Sequence, residues 1–230
     1  MSIKKIGVLG AGTMGGGSGI AHLAAVSGLE VVLYCLEQRF VESAIKRISG
    51  LLDRRIEKRK MTISEKEAVL KRITITTRME DFAPVDMVIE SIFFDDIEIK
   101  KMAFAKIEKI CRAEIILCSN TSNMYNMSIN DLASATSRPD KVVGMKFLNP
   151  ALIMRQIEVI RGYHTSDETV ALVAEAIRAM GKKPVVLLGE AVPFVDGRLN
   201  TGDIDSADRL GVNYPIRSGE PVYSGEEVSL

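Results

Sequence analysis

Short apolar segments alternate with longer amphipathic segments along the first 188 residues of the chain. This alternation is typical of a parallel sheet in which helices connect successive strands. The predicted strands are KIGVLG (5–10), EVVLY (30–34), ITITT (73–77), VDMVIES (85–91), EIILCS (114–119), KVVGMKF (141–147) and KPVVLL (183–188). We therefore expect an α/β protein with a doubly wound sheet.

The helical pattern adds one unusual feature and one boundary. A long charged stretch, roughly residues 37–72, follows the second strand and predicts two helices instead of one. Ser64 and Glu67 in SEKE match a capping box that would start the second of these helices. Residues 166–181 predict a further helix with a Ser or Asp start and a glycine stop. After residue 188 the pattern weakens into a stretch rich in Gly, Asp and Pro, so we place a domain boundary near 189.

Composition excludes several functional classes. Lys plus Arg and Asp plus Glu each number 30, so no net charge points to nucleic acid or a membrane surface. No apolar run approaches the roughly 20 residues that span a bilayer, and the start has no signal-peptide pattern. Cys35, Cys111 and Cys118 lack metal-ligand spacing, and we expect a reduced, cytoplasmic protein. His22 and His164 form no triad or metal pattern and are interpreted as structural or exposed.

The first strand leads into a glycine-rich loop, GAGTMGGGSG (10–19). Gly10, Gly12 and Gly15 fit the dinucleotide fingerprint of a Rossmann-type fold, which needs a strand before the loop and a helix after it. The first glycine permits the turn, the second lets the backbone approach the pyrophosphate, and the third lets the helix pack on the strand. We assign these three residues, with Thr13 and Met14 between them, to an NAD site.

The residue after the second strand is not the expected one. The fingerprint places an acid there for the adenosine ribose, and this chain has Cys35, whose thiol is a poor acceptor for a diol. Glu37 could reach the ribose instead, with weakened NAD binding. Alternatively, the lost negative charge and nearby Arg39 would tolerate the 2′-phosphate of NADP. We favour weakened NAD binding and leave NADP open.

Several stretches together resemble the 3-hydroxyacyl-CoA dehydrogenase family, including its 3-hydroxybutyryl-CoA enzymes. They are KKIGVLGAGTMG (4–15), IEIKKMAFAKIEKIC (97–111), CSNTS (118–122), RPDKVVGMKFLNP (138–150), IEVIRG (157–162), TSDET (165–169) and DIDSADRLGVNYP (203–215). The resemblance implies hydride transfer between NAD and the 3-carbon of an acyl-CoA. It also implies an NAD(P)-binding domain over residues 1–188 and a truncated C-terminal helical segment over 189–230. The family's C-terminal domain commonly builds a homodimer.

The family pattern also implies the roles of individual residues. A histidine before FFNP removes the hydroxyl proton, and a glutamate twelve residues later orients it. Glu158 matches that glutamate, whereas Lys146 stands at the histidine position. Ser122 and Asn149 match the serine and asparagine that hold the substrate oxygen and the nicotinamide region. A short insertion, NMY (123–125), follows this serine.

Other cofactor positions are a mixture of matches and departures. The resemblance assigns Glu90 and Asn120 to the cofactor site. A later acidic residue of the family falls on Phe94 or Asp95, and a later asparagine falls on Gly197. The departures concentrate at the site while the scaffold motifs remain, as expected for a repurposed or decaying active site.

A lysine at the histidine position changes the acid–base chemistry. Lysine can act as a base when neutral and as an acid when charged. A lysine side chain ordinarily has a pKa of about 10.4, against about 6.5 for histidine, so few lysines are neutral at pH 7. Lys146 therefore suits the reductive direction. The two hypotheses are an NAD(P)-dependent oxidoreductase of 3-hydroxyacyl-CoA and 3-oxoacyl-CoA thioesters, or a catalytically impaired nucleotide- or acyl-CoA-binding module in which Lys146 only pairs with Glu158.

Overall fold

The computed structural model describes residues 2–12, 16–92, 96–120, 128–148, 151–188, 194–195 and 198–199. Eight strands form one sheet in the order β3-β2-β1-β4-β5-β6-β7-β8. They are β1 Lys5–Leu9, β2 Glu30–Tyr34, β3 Ile73–Thr76, β4 Met87–Glu90, β5 Ile116–Ser119, β6 Val142–Phe147, β7 Gln156–Arg161 and β8 Lys183–Leu188. The first six are parallel, whereas β7 runs antiparallel to β6 and β8 is parallel to β7. This confirms the predicted doubly wound, Rossmann-type α/β fold.

The helices lie between the strands as the sequence predicts. They are α1 Gly17–Val26, α2 Gln38–Glu57, α3 Ile63–Lys71, α4 Ile97–Ile110, α5 Ile129–Ala133 and α6 Asp167–Ala179. The pair α2 and α3 confirms the two helices predicted after the second strand. Helix α1 packs most deeply, because small residues such as Ala21, Ala24 and Ala25 let it approach the sheet, and these three are fully buried.

Strand β7 was not among the predicted strands. Its sequence, QIEVIR, carries polar residues at two positions that the fold buries: Gln156 and Glu158 are each 1% exposed. Polar residues in a buried strand hide the apolar pattern on which strand prediction depends. The strand also follows β6 without an intervening helix, which breaks the alternation seen in the rest of the sheet.

The predicted capping box lies two residues from the observed one. Thr62 is the N-cap of α3: the Glu65 N–H donates to Thr62 Oγ1 (3.2 Å), and the Thr62 N–H donates to Glu65 Oε2 (2.7 Å). Ser64, the predicted cap, lies inside the helix. The sequence TISEKE holds two overlapping capping-box patterns, and the earlier one gives the longer helix with more intrahelical hydrogen bonds.

The remaining helix predictions are confirmed. Ser166 caps α6 by accepting a hydrogen bond from the Thr169 N–H (3.2 Å), and Gly181, with φ +71°, follows its C-terminal end. His22 is buried and His164 is exposed, as interpreted from the sequence.

The chain divides into two compact units, residues 1–190 and 191–230. The first contains the whole eight-stranded sheet. Of the second, the structure describes the antiparallel strands β9 (Phe194–Val195) and β10 (Arg198–Leu199), so the helical segment predicted for 189–230 stays a prediction. Within the described ranges, every helix is too short or too polar to cross a membrane.

Candidate active site

The predicted site residues lie at one edge of the sheet, where the parallel strands end. The last residues of β1, β2, β4 and β5 are in register across the sheet. Gly10, Cys35 and Asn120 directly follow three of these strands, Glu90 ends the fourth, and Lys146 is the next-to-last residue of β6. In open α/β sheets, ligands bind in the crevice at this edge.

The start of the glycine loop fits a dinucleotide. Gly10 has φ +103°, and a Cβ there would lie 2.6 Å from the carbonyl oxygen of Ser91, so only glycine fits. The Gly10 N–H donates to the Tyr34 carbonyl (3.1 Å), which fixes the loop against β2. A Cβ on Gly12 would meet nothing closer than Gly16 Cα at 3.8 Å, so its backbone is open to close approach. This is the arrangement that a pyrophosphate needs.

Gly17, in the first turn of α1, packs closely on the end of β1. A Cβ at Gly17 would overlap the Gly10 carbonyl oxygen and lie 2.8 Å from Val8 Cγ1. Gly15, to which the sequence assigns the packing of the helix on the strand, lies outside the described residues, as do Thr13 and Met14. Its role therefore stays a prediction.

The end of β2 presents no free acid. Cys35 is 1% exposed and packs in the core, so its thiol is not accessible to a ribose. Burial raises the pKa of this thiol, and the charge of Arg47 opposes the rise. Glu37 and Arg39 pair with each other, with Glu37 Oε1 2.9 Å from Arg39 Nη2. The sequence offers Glu37 as a contact for the ribose and Arg39 as a contact for a 2′-phosphate. In the structure these two side chains form an ion pair with each other.

Glu90 is completely buried and anchored by three groups. Its Oε1 accepts from the Ile92 N–H (2.6 Å), and its Oε2 accepts from the Ser119 hydroxyl (2.6 Å) and lies 3.1 Å from Lys100 Nζ. Lys100 itself is 1% exposed. The carboxylate therefore lies beneath the crevice and holds together the ends of β4 and β5 and helix α4.

Sequence reasoning missed Lys100, although a signal was present. On α4, Lys100 lies on the same face as Phe104 and Ile107, which are both fully buried. A lysine at helical spacing with two core residues must have a buried partner, because an unpaired buried charge is strongly unfavourable. That pattern predicts a buried ion pair at the crevice.

Asn120 links three strand ends. Its Oδ1 accepts from the Phe147 N–H (3.0 Å), its Nδ2 donates to the Ser91 hydroxyl (3.2 Å), and its N–H donates to the Glu90 carbonyl (2.7 Å). The residue assigned to cofactor binding thus also fixes β6 beside β4 and β5. It connects the nucleotide side of the crevice with the residue that follows Lys146.

Lys146 and Glu158 face each other across β6 and β7. They are directly opposite in the antiparallel register, with Lys146 Nζ 3.4 Å from Glu158 Oε2. Met145 and Phe147, on either side of Lys146 in β6, belong to the hydrophobic core. Because successive side chains of a strand lie on opposite faces of the sheet, the lysine side chain lies on the other face. The side chain of Lys146 is 22% exposed and that of Glu158 is 2% exposed. The cation therefore has access to solvent, and the carboxylate beneath it does not.

Strand β7 also carries buried polar atoms that have no hydrogen-bond partner among the described residues. Glu158 Oε1 and both side-chain amide atoms of Gln156 are buried without a hydrogen-bond partner among the described residues. Gln156 was not predicted from the sequence, which gives no sign of its burial. Five other predicted site positions lie outside the described residues, namely Ser122, Asn149, Phe94, Asp95 and Gly197.

The described ranges contain no group of three or more His, Cys, Asp or Glu side chains placed to hold a metal ion. Cys35, Cys111 and Cys118 are all buried and free. Burial raises the pKa of the Cys111 thiol to about 11. None of these thiols is in the reactive, partly exposed state of a nucleophilic cysteine.

Comparisons with known proteins match the chain to one family of dehydrogenases. The sequence profile described as "3-hydroxyacyl-CoA dehydrogenase, NAD binding domain" matches residues 5–191. A probable 3-hydroxybutyryl-CoA dehydrogenase of Deinococcus radiodurans is 40% identical over 92% of this chain and 80% of that protein. A protein of the same description from Bacillus subtilis is 37% identical over 94% of this chain and 79% of that protein.

Solved structures give the same result. The (S)-3-hydroxybutyryl-CoA dehydrogenase of Ralstonia eutropha superposes with a TM-score of 0.77 and is 38% identical. The 3-hydroxybutyryl-CoA dehydrogenase of Escherichia coli K12 has a TM-score of 0.77 and 34% identity. These matches cover 82% of this chain and, respectively, 64% and 39% of those chains.

Proposed function

The chain belongs to the 3-hydroxyacyl-CoA dehydrogenase family, and on this premise we propose that it interconverts 3-oxoacyl-CoA and 3-hydroxyacyl-CoA thioesters with Lys146 as the acid–base residue. The matched region is the family's NAD-binding domain, so NAD is the cofactor. The lysine takes the place that the family pattern gives to a histidine. The substrate class is that of the dehydrogenases to which the chain is similar.

One observation carries the proposal. Lys146 Nζ lies 3.4 Å from Glu158 Oε2, at the edge of the sheet where the glycine loop also lies. The ion pair with a buried carboxylate holds the amine in place at this edge. A charged, partly exposed amine in a ligand crevice is equipped to donate a proton or to stabilise a developing oxyanion.

The hydride and the proton that 3-oxoacyl-CoA reduction needs are both accounted for by the cofactor and Lys146. NADH, when bound at the glycine loop, would supply the hydride to the 3-carbon of the 3-oxoacyl thioester. Lys146 donates its proton to the 3-oxygen, and Glu158 keeps the ammonium oriented until transfer. The resulting neutral amine regains a proton from solvent through its exposed face. The sum is 3-oxoacyl-CoA, NADH and one proton giving 3-hydroxyacyl-CoA and NAD⁺.

The other predicted residues position the reactants. Gly10 and Gly12 let the backbone approach the pyrophosphate. Asn120 and the Glu90–Lys100 pair hold the strand ends on which the nicotinamide side of the crevice is built. Ser122 and Asn149 are proposed to hold the substrate oxygen and the nicotinamide region.

The direction of reaction tests this proposal on the unmodified protein. Acetoacetyl-CoA reduction with NADH and 3-hydroxybutyryl-CoA oxidation with NAD are measured from pH 6 to pH 10, with NADPH as a second donor. We expect reduction to exceed oxidation near neutral pH, and oxidation to climb toward alkaline pH as the ammonium loses its proton. The same pH dependence in both directions, after correction for the proton in the overall equilibrium, would count against lysine as the acid–base group. NADH binding without turnover in either direction would favour the binding-module alternative.

A further inference from the structure

A single arginine of α2 reaches the glycine loop. Arg47 Nη1 donates to the carbonyl oxygen of Ala11 (3.0 Å) and to the hydroxyl of Ser18 (3.2 Å). The Ser18 hydroxyl donates in turn to the Ala11 carbonyl (3.1 Å), and Ser18 is fully buried. Three groups from three parts of the chain therefore close one polar cluster.

This cluster joins the two flanks of the glycine-rich stretch. Ala11 lies between Gly10 and Gly12, just after β1, and Ser18 lies in the first turn of α1. Hydrogen bonds from a charged donor are stronger than neutral ones. Arg47 therefore fixes the end of β1 against the N-terminal turn of α1, where the fingerprint places the pyrophosphate.

The same guanidinium also affects the end of β2. Its charge lowers the pKa of the Cys35 thiol, against the larger effect of burial, which places Arg47 near the position where the fingerprint expects an acid. A cation near both the start of the loop and the end of β2 favours binding of the doubly charged pyrophosphate through Coulomb attraction.

We propose that Arg47 is a positioning residue for the dinucleotide: it holds Ala11 and the first turn of α1 in the arrangement that binds the pyrophosphate, and it contributes positive charge there. The inference rests on the proposed function, since it requires that the loop binds NAD. It assigns to α2 a part in cofactor binding that the glycine fingerprint does not contain.

The test compares Arg47→Met with Arg47→Lys, and uses Lys46→Met as the matched control. Lys46 is the exposed neighbour of Arg47 on α2, so its loss removes the same charge from the same helix. Calorimetric titration gives Kd for NADH, ADP-ribose and adenosine, and steady-state rates give kcat and KM. For Arg47→Met we expect Kd for NADH and ADP-ribose to rise about tenfold, KM for NADH to rise in parallel and kcat to stay within about twofold. Adenosine, which lacks the pyrophosphate, should bind as before, Arg47→Lys should recover part of the affinity, and Lys46→Met should match the unmodified protein.

A second variant keeps the test valid if Arg47→Met does not fold. Ser18→Ala removes the hydroxyl from the cluster with little change in volume, and we expect a smaller loss in the same two ligands. Unchanged NADH affinity in Arg47→Met, or in Ser18→Ala when only that variant folds, would overturn the inference and leave the proposed function standing. An equal loss for adenosine and NADH would also overturn it, since that indicates general damage. If the unmodified protein binds neither NADH nor ADP-ribose, the proposed function fails, and the inference with it.

Discussion

Two lysine–glutamate pairs involve strands of the same sheet and differ in how completely they are buried and hydrogen-bonded. Glu90 and Lys100 are 3.1 Å apart and excluded from solvent, and Glu90 accepts two further hydrogen bonds, from Ser119 and Ile92. Lys146 and Glu158 are 3.4 Å apart, and the lysine side chain is 22% exposed. One oxygen of Glu158 has no hydrogen-bond partner among the described residues.

This difference in burial and hydrogen bonding distinguishes a structural ion pair from one that is able to take part in proton transfer. A fully satisfied, enclosed pair cannot exchange a proton with a ligand without breaking its own network, so it fixes the strand ends. A pair with an accessible cation and an unsatisfied carboxylate can change its protonation and partners during a reaction. The nucleotide side of the crevice is built in the first way, and the β6–β7 side in the second.

The largest expected effect comes from removing one member of the enclosed pair. Lys100→Met leaves Glu90 buried without its cation, and breaking a buried pair in this way costs about 3–5 kcal/mol of unfolding free energy. Lys101→Met is the matched control, because Lys101 pairs with Glu98 at the surface, where such a pair contributes less than about 1 kcal/mol. Urea denaturation of both variants measures the contrast. A similar small loss in both would show that the enclosed pair does not anchor the sheet.

Helix α1 also carries a buried polar group without a hydrogen-bond partner among the described residues. His22 Nε2 is buried without a hydrogen-bond partner among the described residues, and burial, with a smaller contribution from Arg55, lowers its pKa to about 4. Because the unfolded histidine takes up its proton near pH 6.5, the unfolded state gains protons first as pH falls. The free energy of unfolding therefore falls as the pH drops below about 6.5, and this loss levels off near pH 4.

This linkage predicts a loss of about 2 kcal/mol between pH 7 and pH 5 from His22. Denaturant titrations at the two pH values measure it as a difference between the unmodified protein and His22→Gln, which should lack this part of the loss. His164→Gln is the control, since His164 is exposed and its removal should leave the pH dependence in place. Equal losses in the unmodified protein and His22→Gln would contradict the assignment.

The proposed acid–base pair, Lys146 and Glu158, should respond to a change of base. Lys146→His places a group that is largely neutral at pH 7 beside Glu158, so 3-hydroxybutyryl-CoA oxidation at that pH should rise about 10- to 100-fold. Arg keeps the positive charge and cannot act as a base, so Lys146→Arg should show no gain. Restoring the family asparagine with Gly197→Asn should add to the gain of the histidine variant. Oxidation at background level in both histidine variants would mean that the proton-transfer residue is not the main deficit.

The smallest expected effect concerns Gln156. Gln156 is a buried carboxamide with no hydrogen-bond partner among the described residues, so replacing it with an apolar side chain of similar volume removes a desolvation penalty. Gln156→Met should therefore raise the unfolding free energy by about 1 kcal/mol. Gln38→Met, at an exposed position, should change it by less than about 0.5 kcal/mol. A lower unfolding free energy in Gln156→Met would show that the carboxamide has a hydrogen-bond partner in solution. The polar groups on this face of β7 would then be better hydrogen-bonded than the contrast between the two ion pairs assumes.

The sequence predicts the parallel part of this fold well because its signals are local. The apolar strands, the helical pair after β2 and the glycine turn at Gly10 depend on short-range spacing and on one positive φ. Strand β7 escaped prediction because Gln156 and Glu158 are polar residues in a buried strand.

For the candidate site, the sequence predicts residue types better than contacts. The resemblance identifies Lys146 and Glu158, but their separation depends on the antiparallel register of β6 and β7, which is a tertiary feature. The links made by Asn120 and Lys100 also depend on strand order. Arg47 reaches the glycine loop across 36 positions in the chain, a contact that no local pattern contains.

The central claim is that Lys146 supplies the proton in acetoacetyl-CoA reduction, and Lys146→Met tests it most directly. The matched control is Lys141→Met, because the Lys141 side chain is 20% exposed and also pairs with a glutamate, Glu168, away from the crevice. We predict that kcat for reduction falls about 10²- to 10⁴-fold in Lys146→Met, with Kd for NADH unchanged and Lys141→Met fully active. A kcat within a few-fold of the unmodified protein in Lys146→Met would contradict the claim.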